Sequence, residues 1–173
     1  MVIAANLVLV GVVAAERLVE LGIARRHAAW AIGAGGVEQG RGHYPVMVAL
    51  HALLLAGAAI EPILLDRPFV PARFVGGGLA LLLAAGLRFW VIRTLGRRWT
   101  TRVIVLPGRP LVATGPYRYL RHPNYLAVVI EVAALPIAVG AFATAIAASL
   151  MNAALLAVRI RTEEAALGIR SPS

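Results

Sequence analysis

The chain has 173 residues, of which 60% are hydrophobic and only 14% are charged, so it is too apolar for an ordinary soluble domain and an integral membrane protein is expected. All the positive charge behind the net charge of +9 comes from arginine, because the sequence contains no lysine. Cysteine is also absent, which excludes disulfides, thiolate metal sites and a cysteine nucleophile.

Five apolar segments follow one another along the chain, and each is predicted to form a helix. They cover residues 2–24, 46–65, 74–92, 125–140 and 141–158. The last two are short for full spans and are separated only around Pro136 and Gly140, which indicates a tight helical hairpin or two segments that cross a thin or tilted region. We therefore predict an all-α integral membrane protein with about five transmembrane helices and a C-terminal helical hairpin.

The placement of arginine predicts the orientation in the membrane. The loops after the first and third segments are rich in arginine, whereas the loop after the second holds only Arg67 and Arg73 and the fourth turn has none. Five spans with the amino terminus outside place the arginine-rich stretches in the cytoplasm. Because these arginines lie between apolar segments, they suit contact with anionic membrane lipids better than contact with nucleic acid. Nucleic acid is therefore not an expected partner. The absence of lysine and the abundance of alanine, glycine and valine suggest a GC-rich bacterial genome. We therefore expect the membrane to be a bacterial cytoplasmic membrane.

The long loop at residues 93–124 is too polar to span a membrane, yet parts of it are too apolar for a free linker. Pro107, Gly108 and Pro110 break any helix in it. We predict an extended, partly ordered cytoplasmic segment that covers a binding site. The glycine-rich first loop is expected to be mobile or to help close over a lipid substrate, with Tyr44 and Trp30 as apolar contacts.

Polar and cationic residues crowd the start of the fourth segment, where residues 115–125 read Gly-Pro-Tyr-Arg-Tyr-Leu-Arg-His-Pro-Asn-Tyr. Pro123 is predicted as the first helical residue, with His122 or its neighbour as the cap, because proline tolerates that position. The free N–H groups of the helix start, its positive dipole and Arg121 then form a site for a carboxylate or phosphate. Alternatively, these arginines and tyrosines only anchor the helix at the lipid headgroups.

Charged residues also end the fifth segment. Arg159 and Glu163 lie four apart, so on a helix they share a face and can pair, while Glu164 points elsewhere. An antiparallel hairpin returns this end to the membrane edge where the fourth segment starts. There a carboxylate can bind hydroxyls or an ammonium group, or accept a proton. The alternative is an ordinary solvated helix end.

A further carboxylate, Glu131, lies about two turns into the fourth segment and shares a face with Asn124. A carboxyl group at that depth is costly, so it is a functional candidate by default, and the alternative is a buried, protonated or arginine-paired structural group. For Glu61 we favour a structural role. His27 and His43 lack the companions of a metal site, so we predict no metal.

Two linked motifs resemble those of the isoprenylcysteine carboxyl methyltransferase family of membrane enzymes. They are Gly115-x-Tyr117-x-x-x-Arg121-His122-Pro123-x-Tyr125 and, after an apolar hairpin, Arg159-x-Arg161-x-Glu163-Glu164. The resemblance covers about residues 95–167 and includes Leu95-Gly96-x-x-Trp99. It implies S-adenosylmethionine as the methyl donor, bound at the cytosolic side by a loop, hairpin and C-terminal helix in residues 93–173. It also implies one methyltransferase domain over residues 1–173, with three N-terminal helices in residues 1–92.

The resemblance also implies roles for individual residues. The expected cofactor-binding residues are Gly115, Tyr117, Arg121, His122, Pro123, Asn124, Tyr125 and Glu163. The expected catalytic residues are Arg159, Glu163 and His122, and the expected substrate contacts are Trp99, Glu131 and Tyr44. A phenol or enol acceptor needs a base such as His122, Glu163 or Glu131, whereas a carboxylate acceptor needs none and can be held by Arg159.

The acceptor is expected to be a lipophilic molecule that enters from the bilayer. The sequence at residues 36–38 and 42–45 is similar to a bacterial branch found beside type III polyketide synthases, whose members are thought to methylate long-chain alkyl phenols, quinols or pyrones. An isoprenylcysteine-like carboxylate is the other acceptor considered.

Two other classes stay open at this point. Membrane sterol and steroid reductases share a His-Pro-x-Tyr element and use NADPH, but the Arg-Thr-Glu-Glu ending argues against them. A non-catalytic transport or scaffold protein would use the polar clusters only as topological anchors, and the absence of paired internal repeats argues against a transporter. The sequence does not predict the oligomeric state.

Overall fold

The computed structural model describes residues 2–169, and five helices account for most of them. The helices are α1 Val2–Gly33, α2 His43–Leu64, α3 Pro71–Leu95, α4 Pro123–Val139 and α5 Phe142–Ala166. Two short strands, β1 Val37–Gln39 and β2 Val103–Val105, and two 3₁₀ turns, Gly96–Arg98 and Gly115–Arg118, complete the described chain. The predicted all-α class is confirmed.

Within residues 2–169, three helices are long and apolar enough to cross a membrane, namely α2, α3 and α5. Helix α4 is apolar but has 17 residues, and α1 has 32 residues with charged side chains in its middle. Large apolar side chains such as Leu18, Leu82 and Leu83 are at least 70% exposed on the outer faces of α1 and α3, where lipid tails would cover them. The chain is therefore an all-α membrane protein.

Two helices continue past their predicted ends at the arginine-rich edge. Helix α1 continues from residue 24 to Gly33, because Ala24, Ala28 and Ala31 recur at helical spacing and are buried against the rest of the protein. Helix α5 continues from residue 158 to Ala166 and so includes Glu163. Both extensions carry polar residues that a search for apolar segments leaves out.

The hairpin between α4 and α5 turns at Gly140, whose φ of +87° is a left-handed conformation that favours glycine. Glu61 of α2 caps the start of α5, accepting hydrogen bonds from the backbone N–H of Ala143 at 3.0 Å and of Thr144 at 2.8 Å. This is a structural role, as the sequence indicated for Glu61. The hairpin returns the end of α5 to the edge at which α4 begins.

A two-stranded antiparallel sheet joins the α1–α2 loop to the α3–α4 loop, with Val37 opposite Val105 and Gln39 opposite Val103. The predicted extended segment is thus strand β2, while β1 replaces the mobile loop expected from the glycines. Gly36 permits the approach, because a Cβ atom there would lie 2.6 Å from the carbonyl oxygen of Ala31 and 2.8 Å from a methyl group of Ile104. The sheet ties both loops to one edge of the protein.

Candidate active site

Two adjoining cavities open at the edge where α4 begins and α5 ends. The small cavity has a volume of about 100 Å³, and the large cavity has a volume of about 420 Å³. Residues of the α3–α4 loop line both cavities. The sequence predicted that this loop covers a binding site, and its position agrees with that prediction. The two cavities share the lining residues Leu95, Arg98, Ile104, Val105, Tyr117, His122, Glu163 and Leu167.

The two ends of the hairpin meet through side-chain hydrogen bonds. His122 Nε2 lies 3.1 Å from Glu164 Oε1, and the Tyr125 hydroxyl donates to Glu163. Arg159 Nε in turn donates to the Tyr125 hydroxyl at 3.0 Å. The predicted meeting of the two charged ends is therefore observed, but the Tyr125 hydroxyl bridges Arg159 and Glu163 in place of a direct pair.

Arg159 is the most deeply placed charge of this group, with 6% of its surface exposed. Its Nη2 donates to the backbone carbonyl of Thr101 at 2.5 Å, and its Nη1 lies 3.4 Å from the sulfur of Met47 in α2. Its guanidinium also lies 5.8 Å from the centre of the Tyr125 ring. These contacts fix the guanidinium at the wall of the small cavity.

Trp99 closes another side of the small cavity and is only 2% exposed. It packs with Ala24 of α1 and Val91 of α3. Its indole Nε1–H donates to the side-chain oxygen of Asn124 at 3.3 Å. The expected substrate contact Trp99 and the expected cofactor contact Asn124 are thus held together beside the small cavity.

The turn before α4 depends on Gly115, which has a φ of +57°. A Cβ atom there would also clash with the hydroxyl of Thr94 at the end of α3, so glycine is required on two grounds. The turn places Tyr117 in the wall of both cavities. Burial, and secondly the negative charge of Glu163, raise the pKa of Tyr117, so its phenol stays protonated at neutral pH.

Helix α4 begins at Pro123 with His122 at the cap position, as predicted, and the His122 side chain makes no capping hydrogen bond. The large cavity therefore faces a helix start with its positive dipole end. Arg98, Arg109 and Arg121 also line this cavity, together with the carboxylates of Glu163 and Glu164. Cationic and anionic groups thus share one space.

Two predicted substrate contacts lie outside the lining of both cavities. Tyr44 lies under Arg102, whose guanidinium is 5.0 Å from its ring centre. Glu131 belongs to a buried group that we call the membrane ion cluster, which consists of Arg17, Glu20, Arg88 and Glu131. Arg17 contacts Glu131 at 3.1 Å and Glu20 at 2.7 Å, while Arg88 pairs with Glu131 and lies 3.4 Å from Glu20.

Several residues of the site carried no sequence signal of their own. Met47 and Thr101 bind Arg159 but belong to no motif, and Arg109 is one of the loop arginines that the sequence relates only to orientation in the membrane. The apolar walls were easier to foresee, because Leu106, Leu111 and Val112 lie in the loop that was too apolar for a linker. Between residues 104 and 113 of this loop, the large cavity is lined by Ile104, Val105, Leu106, Arg109, Pro110, Leu111, Val112 and Ala113.

Comparison with known proteins gives one family and two full-length relatives. The isoprenylcysteine carboxyl methyltransferase family matches residues 78–169, just over half of the chain. The uncharacterized protein YpbQ of Bacillus subtilis is 34% identical over 160 residues, which are 92% of this chain and 94% of that protein. An uncharacterized protein of Haemophilus influenzae is 29% identical over 154 residues, 88% of this chain and 89% of that one. The family match contains Trp99 and the hairpin but not α1 or α2.

Proposed function

The chain belongs to the isoprenylcysteine carboxyl methyltransferase family, and from this membership we propose that it uses S-adenosylmethionine to methylate an oxygen atom of a lipophilic acceptor. The family makes it a membrane methyltransferase. The donor and the acceptor are the parts that we propose. They are supported by the way the two cavities share a wall at Tyr117, His122 and Glu163.

The residues of the large cavity fit S-adenosylmethionine in size and in charge. Its volume of about 420 Å³ lies in the range of about 300–1,000 Å³ that small-molecule sites occupy. Arg121 and the start of α4 suit the donor's carboxylate, and Glu163 and Glu164 suit its ammonium group or ribose hydroxyls. Apolar side chains such as Leu106 and Leu111 suit its adenine. When bound, the donor supplies an electrophilic methyl group on a sulfonium.

The small cavity is proposed to hold the oxygen that accepts the methyl group. Its wall offers N–H donors from Arg159 and Asn124, whereas the one hydrogen of the Tyr125 hydroxyl is donated to Glu163. Such donors bind an oxygen that carries negative charge and fix its direction, and alignment dominates the rate of methyl transfer. For a phenol or enol, Glu163 or His122 takes the proton, whereas a carboxylate needs no base.

The acceptor is proposed to be a long-chain alkyl phenol, quinol or pyrone, or an isoprenylcysteine-like carboxylate. An apolar tail is compatible with a site at the end of membrane-crossing helices, because the tail can stay among lipids while the head group reaches the small cavity. The arginine-rich edge supports a location in a bacterial cytoplasmic membrane with the amino terminus outside and the site facing the cytoplasm. Membrane lipids are the other proposed partners.

The test is transfer of label from methyl-labelled S-adenosylmethionine to a bacterial total-lipid extract by the purified protein in lipid nanodiscs. We expect one lipid class to gain label, and His122→Ala and Glu163→Ala to reduce the rate by roughly a hundredfold or more. Arg161→Ala is the matched control, because Arg161 is exposed on the same helix and lines neither cavity.

Other outcomes identify other functions. Saturable binding of NADPH without binding of S-adenosylmethionine would indicate a reductase. Labelling that persists in both His122→Ala and Glu163→Ala would move the reaction away from these cavities. If the wild-type protein neither binds the donor nor transfers label, the proposed methyl transfer is wrong and a non-catalytic role takes its place.

A further inference from the structure

The side chain of His27 in helix α1 contacts Trp99, which lines the small cavity. Its Nδ1 lies 2.9 Å from the backbone carbonyl oxygen of Trp99. A carbonyl oxygen can only accept, so Nδ1 carries the hydrogen and donates it. The two rings also meet edge to face, with centres 6.4 Å apart and planes at 89°. His27 therefore holds both the backbone and the ring of Trp99.

Trp99 in turn positions Asn124, which lies in the first turn of α4. Trp99 is almost fully buried, and its Nε1–H donates to the side-chain oxygen of Asn124. Because the amide oxygen accepts this bond, the amide NH₂ is the group that Asn124 can offer to the small cavity, which it lines. A shift of Trp99 would therefore turn the donor that meets the acceptor oxygen.

The membrane ion cluster fixes α1 in turn. Arg17 binds Glu131 of α4, and Glu20 binds Arg88 of α3. Glu20 precedes Ala24 by one helical turn, and Ala24 packs against Trp99. Sliding or rotating α1 would separate buried ion pairs, which is strongly unfavourable. The ion pairs of the membrane ion cluster therefore fix the position of His27 relative to Trp99 along the axis of α1.

From these contacts we infer that His27 is a positioning residue for the methyl transfer proposed above, acting on the acceptor side through Trp99 and Asn124. The inference rests on that proposed function. It assigns a role to helix α1, which lies outside the range that the family matches. His27 lines neither cavity, so it touches neither the donor nor the acceptor.

Two replacements of His27 separate its hydrogen bond from its bulk. His27→Phe keeps an aromatic ring but loses the donor, whereas His27→Asn keeps an N–H near the position of Nδ1. We expect His27→Phe to raise the apparent KM for the lipid extract about three- to tenfold, as for the loss of one hydrogen bond. His27→Asn restores most of that loss. The affinity for S-adenosylhomocysteine, measured by calorimetry, stays within twofold in both.

Trp99 supplies a readout that needs no acceptor. The chain has three tryptophans, so replacing Trp30 and Trp90 with phenylalanine leaves Trp99 as the single fluorophore. We expect lower anisotropy and a red-shifted emission in His27→Phe, with wild-type values in His27→Asn and in the control Arg26→Gln. Arg26 is the exposed neighbour of His27 on α1. Unchanged Trp99 emission in His27→Phe would overturn the inference.

Kinetics and fluorescence test the role of His27 independently of each other. If His27→Phe does not fold, Trp99→Phe serves instead, because it removes the N–H that binds Asn124 together with part of the buried ring, and it should raise the apparent KM at least as much. Equal KM values for Trp99→Phe and wild type would also overturn the inference. A wild-type protein that transfers no label refutes the proposed function, while the emission of Trp99 still decides whether His27 holds it.

Discussion

Among residues 2–169, two groups of buried and half-buried charged and polar side chains resemble each other in composition but not in surroundings. The membrane ion cluster joins two arginines to two glutamates between α1, α3 and α4. The site cluster, which consists of His122, Tyr125, Arg159, Glu163 and Glu164, joins the two ends of the hairpin. Four members of the site cluster line the small cavity, and no member of the membrane ion cluster lines either cavity.

The difference shows what each group can do. In the membrane ion cluster every carboxylate of the four residues contacts an arginine, so the charges neutralise one another inside the protein. In the site cluster the carboxylates face a space large enough for a ligand. Charged side chains are therefore paired with one another at membrane depth, whereas at the membrane edge they line an open space, and the cavity distinguishes the two groups.

The largest expected effect comes from breaking the membrane ion cluster. Arg88 is 4% exposed, and Arg88→Leu leaves the two carboxylates of Glu20 and Glu131 to share Arg17 alone within the cluster. We expect a loss of about 3–5 kcal/mol in the free energy of unfolding. Thermal unfolding of the purified protein in nanodiscs measures it, with Arg93→Leu, an exposed arginine of the same helix, as the control.

The double variant Arg88→Leu/Glu131→Leu sharpens the comparison, because it leaves Arg17 and Glu20 as a balanced pair. We expect most of the stability to return and the rate of methyl transfer to stay near that of the wild type. A stable double variant that fails to label lipid would instead support the sequence-based prediction that Glu131 contacts the substrate. A double variant less stable than Arg88→Leu would contradict the clamp.

A smaller effect on stability, but a clear effect on the rate of methyl transfer, is expected from a substitution in the site cluster. Tyr125→Phe removes the hydroxyl that bridges Arg159 and Glu163. We expect kcat/KM for label transfer to fall about tenfold or more, while the free energy of unfolding changes by about 1 kcal/mol. Tyr119→Phe is the matched control, because Tyr119 is 72% exposed and lines neither cavity. A Tyr125→Phe variant with wild-type kinetics would remove the bridge from the mechanism.

The smallest effect at neutral pH concerns Tyr117. Burial, then the charge of Glu163, raise the pKa of Tyr117, so the folded protein favours the protonated phenol. The corresponding stabilisation is complete below the ordinary tyrosine pKa of about 10 and is lost as the pH rises above it. We expect unfolding temperatures of wild type and Tyr117→Phe to diverge only in that alkaline range, with the wild type the more alkali-sensitive. Parallel curves would contradict this assignment.

Much of the hairpin was predictable because its signals are local. The proline at position 123 predicted a helix start, and the spacing of Arg159 and Glu163 predicted a shared face. Positive-φ glycine at residue 140 fits the turn between two apolar segments that were already visible. The two polar ends then had to meet, since antiparallel helices joined by a short turn return to the same edge.

The remaining features depend on long-range contacts that leave little trace in sequence. Strands of three residues, such as Val37–Gln39, are too short to show an alternating pattern, and their partner lies more than sixty residues away. Glu131 and Glu163 are both carboxylates near apolar sequence, and only the position of Arg88 and Arg17 distinguishes them. The bridge through Tyr125 was missed because helical spacing describes one helix at a time.

The contact between Gly115 and Thr94 fixes one wall of the large cavity, the turn that carries Tyr117. No atom larger than hydrogen fits between that turn and the end of α3, and the Thr94 hydroxyl is itself bonded to the Trp90 carbonyl at 2.8 Å. The turn that carries Tyr117 therefore moves only together with α3. Residues 106–112 include Gly108 at a φ of +72°, and Arg98 Nη1 donates to the backbone carbonyl of Pro110 at 2.8 Å. The large cavity is thus bounded on one side by a turn built into helix α3 and on the other by a stretch tied to the protein through an arginine side chain, so its two walls differ in how firmly the fold holds them.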